Sequence, residues 1–144
     1  MNHPFDATIV GGGVVGLATA LGMAKRGFSI AVIDQGSLAV RDKQSTKHQQ
    51  HDVRVLAVNH RSQQLLSSLG AWPDEQHLLS PYQHMSIWDA SSRGRIDFDA
   101  RMIAKNNLGY IVCESLLRQT LLQTLSKETA VVFFAKQAVE SLEH

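Results

Sequence analysis

Gly11, Gly13 and Gly16 stand in a Gly-x-Gly-x-x-Gly pattern, and Asp34 follows 18 positions after the last of them. Such a pattern can hold a diphosphate: the first glycine permits a tight turn, the second lets the anion approach the backbone, and the third lets a helix pack close to a strand. The amides that open this helix, at Val14 and Val15, would add N–H donors and the positive end of the helix dipole. Asp34 would accept hydrogen bonds from ribose hydroxyls. An acid at that position disfavours a 2′-phosphate, so FAD or NAD fits better than NADP. The competing reading is a plain glycine-rich turn followed by a surface aspartate, and the surrounding elements decide between the two.

Those elements are legible from patterning. Ala7 to Val10 is a short apolar, β-branched run that reads as a buried strand. Val14 to Arg26 is predicted as a helix, with Leu17, Leu21 and Ala24 at helical spacing, Lys25-Arg26 in its last turn and Gly27 to end it. Phe28 to Ile33 reads as a second buried strand ended by Asp34, which completes a β-α-β unit with parallel strands. Gln35 to Asp52 is polar and longer than an ordinary connection. Val53, Val55 and Ala57 alternate as a strand would, and Asn59 can cap a helix carrying Leu65, Leu66 and Leu69 before Gly70. Met85, Ile87, Ile96 and Phe98 alternate on either side of Ser91-Ser92-Arg93-Gly94, a hairpin signal. Leu108 to Val112 is a further buried strand, Ser115 can cap a helix with Leu117, Leu121 and Leu125 on one face, and Ala130 to Phe134 closes the pattern as a strand. The fold class is therefore α/β: a Rossmann-like parallel sheet with helices, incomplete, plus a short antiparallel hairpin. Residues 1–79 and 107–141 are assigned to the nucleotide-binding part and 80–106 to an excursion from it.

Composition narrows the classes. The chain has 144 residues, 44% apolar and 19% charged, which suits about one globular domain. A net charge of +1 gives no field that selects nucleic acid. Cys113 is the only cysteine, which excludes an internal disulfide and points to a reducing, cytoplasmic setting. No apolar run approaches the roughly 18 residues that span a bilayer. Residues 142–144 read as the remnant of a purification tag. His48 and His51 could suit a metal but lack a third ligand, so no metal is expected. Asp97 and Asp99 share one strand face, expected to be solvated, while Trp72 and Trp88 read as packing residues. Hydrolase and NTPase signatures are absent from the sequence.

Several segments carry a more selective signal: FDATIVGGGVVGLATALGMAKRGFSIAVIDQG, then DVRVLAVN, LGAW, MSIWD and LGYIVCESLLRQTLLQTL. In this order they resemble the N-terminal part of the flavin-dependent aromatic hydroxylases of ubiquinone biosynthesis, which are class A flavin monooxygenases. The resemblance implies FAD as cofactor, with Gly11, Gly13, Gly16 and Asp34 on its ADP half. Most relatives carry Glu where Asp34 stands, one methylene longer. Arg54 matches an arginine that lies near the flavin and its phosphates in similar enzymes, where a planar guanidinium suits anionic oxygens. A solvated strand-edge arginine is the alternative. Cys113-Glu114 replaces a frequent Glu-Asn, which puts a cofactor contact by Glu114 in doubt.

The resemblance further implies NAD(P)H as reductant, O2 as co-substrate and a polyprenyl phenol or quinol as substrate. It also implies peripheral contact with the inner membrane or a biosynthetic complex. No side chain here reads as a general base. The later segments that hold the flavin ring in relatives have no counterpart, so this chain alone is expected to bind FAD weakly and to be inactive. A flavin amine or amino-acid oxidase, or a non-catalytic dinucleotide-binding module, would share the glycine signature.

Overall fold

The computed structural model describes residues 4–40 and 54–141. In chain order the elements are β1 (Ala7–Val10), α1 (Val14–Ala24), β2 (Ile30–Asp34), β3 (Val55–Asn59), α2 (His60–Ser68), β4 (Ser80–Tyr82), β5 (His84–Trp88), β6 (Arg95–Asp99), β7 (Gly109–Cys113), α3 (Glu114–Leu125) and β8 (Val131–Ala135). Residues 41–53, which include His48, His51 and Val53, lie outside the described residues, as do residues 142–144.

Among the described residues the strands form three sheets. The first is parallel, in the order β1-β2-β8, with β2 central. Its Ile30 and Val32 on one face and Ala31 on the other are all buried, as a strand covered on both faces requires. α1 and α3 pack on each other and carry the core, through Leu17, Leu21, Leu117, Leu121 and Leu125. This is the α/β class read from the sequence. The second sheet, β3-β7-β4, is antiparallel throughout. Both of its longer strands were expected, but their pairing was not. Of the 80–106 stretch, Ser80–Tyr82 pairs with β7, and His84–Asp99 form a separate two-stranded sheet.

Several boundaries differ from expectation for local reasons. α1 ends at Ala24, not Arg26, because the amides of Arg26 and Gly27 bond to Met23 and Ala24, three residues back, and tighten the chain out of α geometry. Phe28 and Ser29 are not strand. Asp6 captures Ser29 instead, its Oδ2 accepting from both the backbone N–H and the hydroxyl at 2.8 Å. α3 starts at Glu114 with Cys113 as its cap residue, so Ser115 lies inside the helix.

Asn59 does cap α2, accepting from the Ser62 N–H at 2.9 Å. Asn59→Ala should therefore cost about 1 kcal/mol, read as a lower urea midpoint at unchanged slope. Leu65 was expected on the apolar face of α2, yet it is 55% exposed while Leu66 is buried. Leu65→Gln should change stability by less than about 0.5 kcal/mol in the same measurement. Trp72 packs edge-on against Tyr110 at 5.9 Å. Trp88, by contrast, is 69% exposed at the end of β5, which corrects its reading as a packing residue.

Candidate functional site

The chain leaves β1 through Gly11, whose φ of +109° only glycine adopts without strain. Gly11 still continues the sheet, donating its N–H to Ile33 at 2.8 Å. The turn then delivers Gly13 as the cap residue of α1. Gly16 sits against the turn so closely that a Cβ there would lie 2.0 Å from the Gly11 carbonyl oxygen. A Cβ at Gly13 would meet nothing within 4 Å, so the approach to the turn is open.

Gly11, Gly13, Val14, Val15, Gly16 and Arg54 line one open cleft of about 670 Å³. Arg54 arrives from the second sheet: the β3–β7 register sets Val55 opposite Cys113, and the Glu114 N–H bonds to the Arg54 carbonyl at 3.0 Å. The same register brings in Glu114, which also lines the cleft and pairs with the Arg54 guanidinium at 3.2 Å. Arg54 is 76% exposed and Glu114 23%, so the arginine side of this pair is solvated while the glutamate is largely covered. No side chain caps α1 and its first turn carries no acid. The mouth of this helix can accordingly receive an anion. Open space, helix amides and a guanidinium together fit a dinucleotide diphosphate.

Asp34 stands apart from the cleft lining, behind Gly12. Its Oδ2 accepts from the Gly12 N–H at 2.5 Å and its Oδ1 from the Gly36 N–H at 2.7 Å. The Gly12 amide holds the carboxyl below the ordinary carboxylate range, helped by Gly36 and the nearby Arg118 charge and opposed by partial burial. A carboxylate has about four lone-pair positions, so two amide bonds leave capacity for ribose hydroxyls.

Two site residues escaped sequence reading. Gly12 packs closely: a Cβ there would push on the Leu38 side chain and stand 3.2 Å from the Asp34 side chain. Arg118, on α3, donates from Nε to the Gly12 carbonyl at 2.7 Å and from Nη2 to the Ser37 carbonyl at 2.6 Å. Its one signal was position: it lies one helical turn after Glu114. Asp97 and Asp99 share a face as expected, but each is engaged, with Arg95 and Ser86 in one case and Arg101 and His84 in the other. Cys113 is half-buried. Among the described residues no cluster of three metal-ligating side chains occurs, and no helix is long and apolar enough to cross a membrane.

Comparison with known proteins supports the class that this turn defines. Residues 6–50 match the family described as FAD dependent oxidoreductase. The chain is 37% identical over 133 residues to the 3-demethoxyubiquinol 3-hydroxylase of Escherichia coli (strain K12), covering 90% of this chain and 32% of that protein. It is 30% identical over 137 residues to the ubiquinone hydroxylase UbiL of Rhodospirillum rubrum, covering 95% of this chain and 30% of that protein. The fold matches p-nitrophenol 4-monooxygenase PnpA from Pseudomonas putida DLL-E4, with a TM-score of 0.64, 19% identity, and coverage of 96% of this chain and 33% of that one. The chain is thus similar in sequence, over nearly all of its length, to part of two hydroxylases of ubiquinone compounds, and it has the fold of part of a monooxygenase of known structure. It spans about a third of the length of the relatives it matches.

Proposed function

We propose that the whole protein is an FAD-dependent monooxygenase that hydroxylates an aromatic ring of a polyprenyl phenol or quinol in ubiquinone biosynthesis, using NAD(P)H and O2. The observation that carries this reading is the open mouth of α1, uncapped and with no acid in its first turn, sharing one cleft with the Arg54–Glu114 pair. In this reading the amides of Gly13, Val14 and Val15 hold the diphosphate of FAD, and Arg54 adds a cationic partner. Asp34 takes the adenosine ribose. FAD, when bound, supplies the redox and oxygen chemistry. The residues of this chain bind and orient the cofactor, and the carboxylate that lines the cleft, Glu114, is paired with Arg54. Identity to ubiquinone hydroxylases extends over 90% of the chain, well past residues 6–50, which favours a hydroxylase over a flavin amine oxidase. This chain alone is expected to bind FAD weakly and to be inactive.

The test is to express the full reading frame. A yellow protein that releases FAD on denaturation, oxidises NAD(P)H in response to a demethoxyubiquinol analogue, and inserts heavy-isotope oxygen from O2 into the ring supports the proposal. A colourless protein with no affinity for FAD rejects it. Vesicle flotation of the same preparation tests peripheral membrane contact.

A further inference from the structure

A run of three glycines has little conformational preference of its own, so something outside the turn must choose the orientation of its peptide groups. Gly12 is held at both ends. Its N–H is given to Asp34 and its carbonyl receives the Arg118 Nε–H. We propose that Arg118 is a positioning residue: it orients the Gly12–Gly13 peptide for a diphosphate and ties the glycine turn to the segment that carries the ribose acid. This deepens the proposed function and rests on it.

The geometry follows from the planar trans peptide, in which the Gly12 carbonyl and the Gly13 N–H point to opposite sides. With the carbonyl pinned to α3, the Gly13 N–H is turned the other way. Gly13 lines the cleft, whereas Gly12 and Arg118 do not. The second arm of the guanidinium reaches Ser37, just beyond Gly36, whose N–H bonds back to Asp34. Asp34, Gly12, Arg118 and the Gly36–Ser37 segment thus form a closed loop of hydrogen bonds. The planar fork of arginine serves two carbonyls at once, while lysine offers a single point charge. Arg118 reaches across 106 residues of sequence to do this and does not line the cleft.

The experiment compares wild-type, Arg118→Met and Arg118→Lys forms of the full-length protein by two measurements. FAD affinity, from flavin fluorescence quenching, should fall about tenfold or more in Arg118→Met, the scale of a lost charge-assisted hydrogen bond, and be partly restored in Arg118→Lys. Independently, glycine-selective amide NMR of the FAD-free protein should show the Gly12, Gly13 and Gly36 signals displaced in Arg118→Met, with the melting temperature little changed. FAD affinity within twofold of wild type in Arg118→Met overturns the proposal, as do unmoved glycine signals. If Arg118→Met does not fold, Arg118→Lys decides, since full wild-type affinity in that variant also overturns it. If the wild-type protein itself takes up no FAD, the flavin reading fails, and the ligand-free glycine signals alone then support or overturn the positioning role.

Discussion

Gly16→Val is expected to lower the FAD affinity of the full protein by at least about 100-fold, the largest effect of any single substitution in the glycine turn. The reason is backbone on backbone. A Cβ at Gly16 would stand 2.0 Å from the Gly11 carbonyl oxygen and 3.3 Å from the Ile9 side chain. No rotamer change relieves a contact with a carbonyl that also belongs to the turn. α1 must lift away from β1, yet Leu17, Ala20 and Leu21 on the same helix are fully buried. The strain is thus shared between the core and the turn, and the amides of Val14 and Val15 move off their aim. Titration with FAD, followed by flavin fluorescence, measures the loss, and a melting curve of the same variant should shift downward. An affinity within threefold of wild type would show that the turn does not set the binding geometry.

Asp34→Ala should reduce FAD affinity by about 100-fold, from the loss of two hydrogen bonds between a charged acceptor and ribose hydroxyls. It also removes the partner of the Gly12 and Gly36 amides. The pH dependence carries a definite sign. The Asp34 carboxyl is depressed in the folded protein, first by the Gly12 N–H. A depressed acid contributes its stabilisation in full above its unfolded pKa of about 4 and loses it as pH falls through the lower folded value. FAD affinity and stability should therefore be level from neutral pH down to about pH 5 and weaken only in stronger acid. Asp34→Asn removes this acidic limb, whereas Asp34→Glu should keep most of the affinity. A wild-type acidic limb that persists unchanged in Asp34→Asn would assign it to another group.

Sequence by itself determined the β-α-β unit around the glycines. Ala7–Val10, the turn at Gly11 and the helix from Val14 are contiguous, and each is specified by neighbours a few residues away. A strand's β-branched run, a glycine's permitted φ and a helix's apolar spacing are local properties, so they are written in local order; burial is not, and Val10 of β1, expected in a buried strand, is 62% exposed. The same holds for the Asn59 cap and for the hairpin around residues 91–94, though its register, Met85 against Phe98, was not read. Element ends were less legible, because Asp6 and the tightened bonds after Ala24 redirect the chain there.

Only the tertiary structure decided what stands beside the turn. The antiparallel β3–β7 pairing carries Arg54 and Glu114 to the cleft, and the packing of α1 on α3 brings Arg118 to the Gly12 carbonyl. These partners are far apart in the chain, and a side chain bonding to a distant backbone carbonyl leaves no periodicity or composition to read. Such contacts exist only once burial of Leu17, Leu21, Leu117 and Leu121 has fixed the two helices against each other.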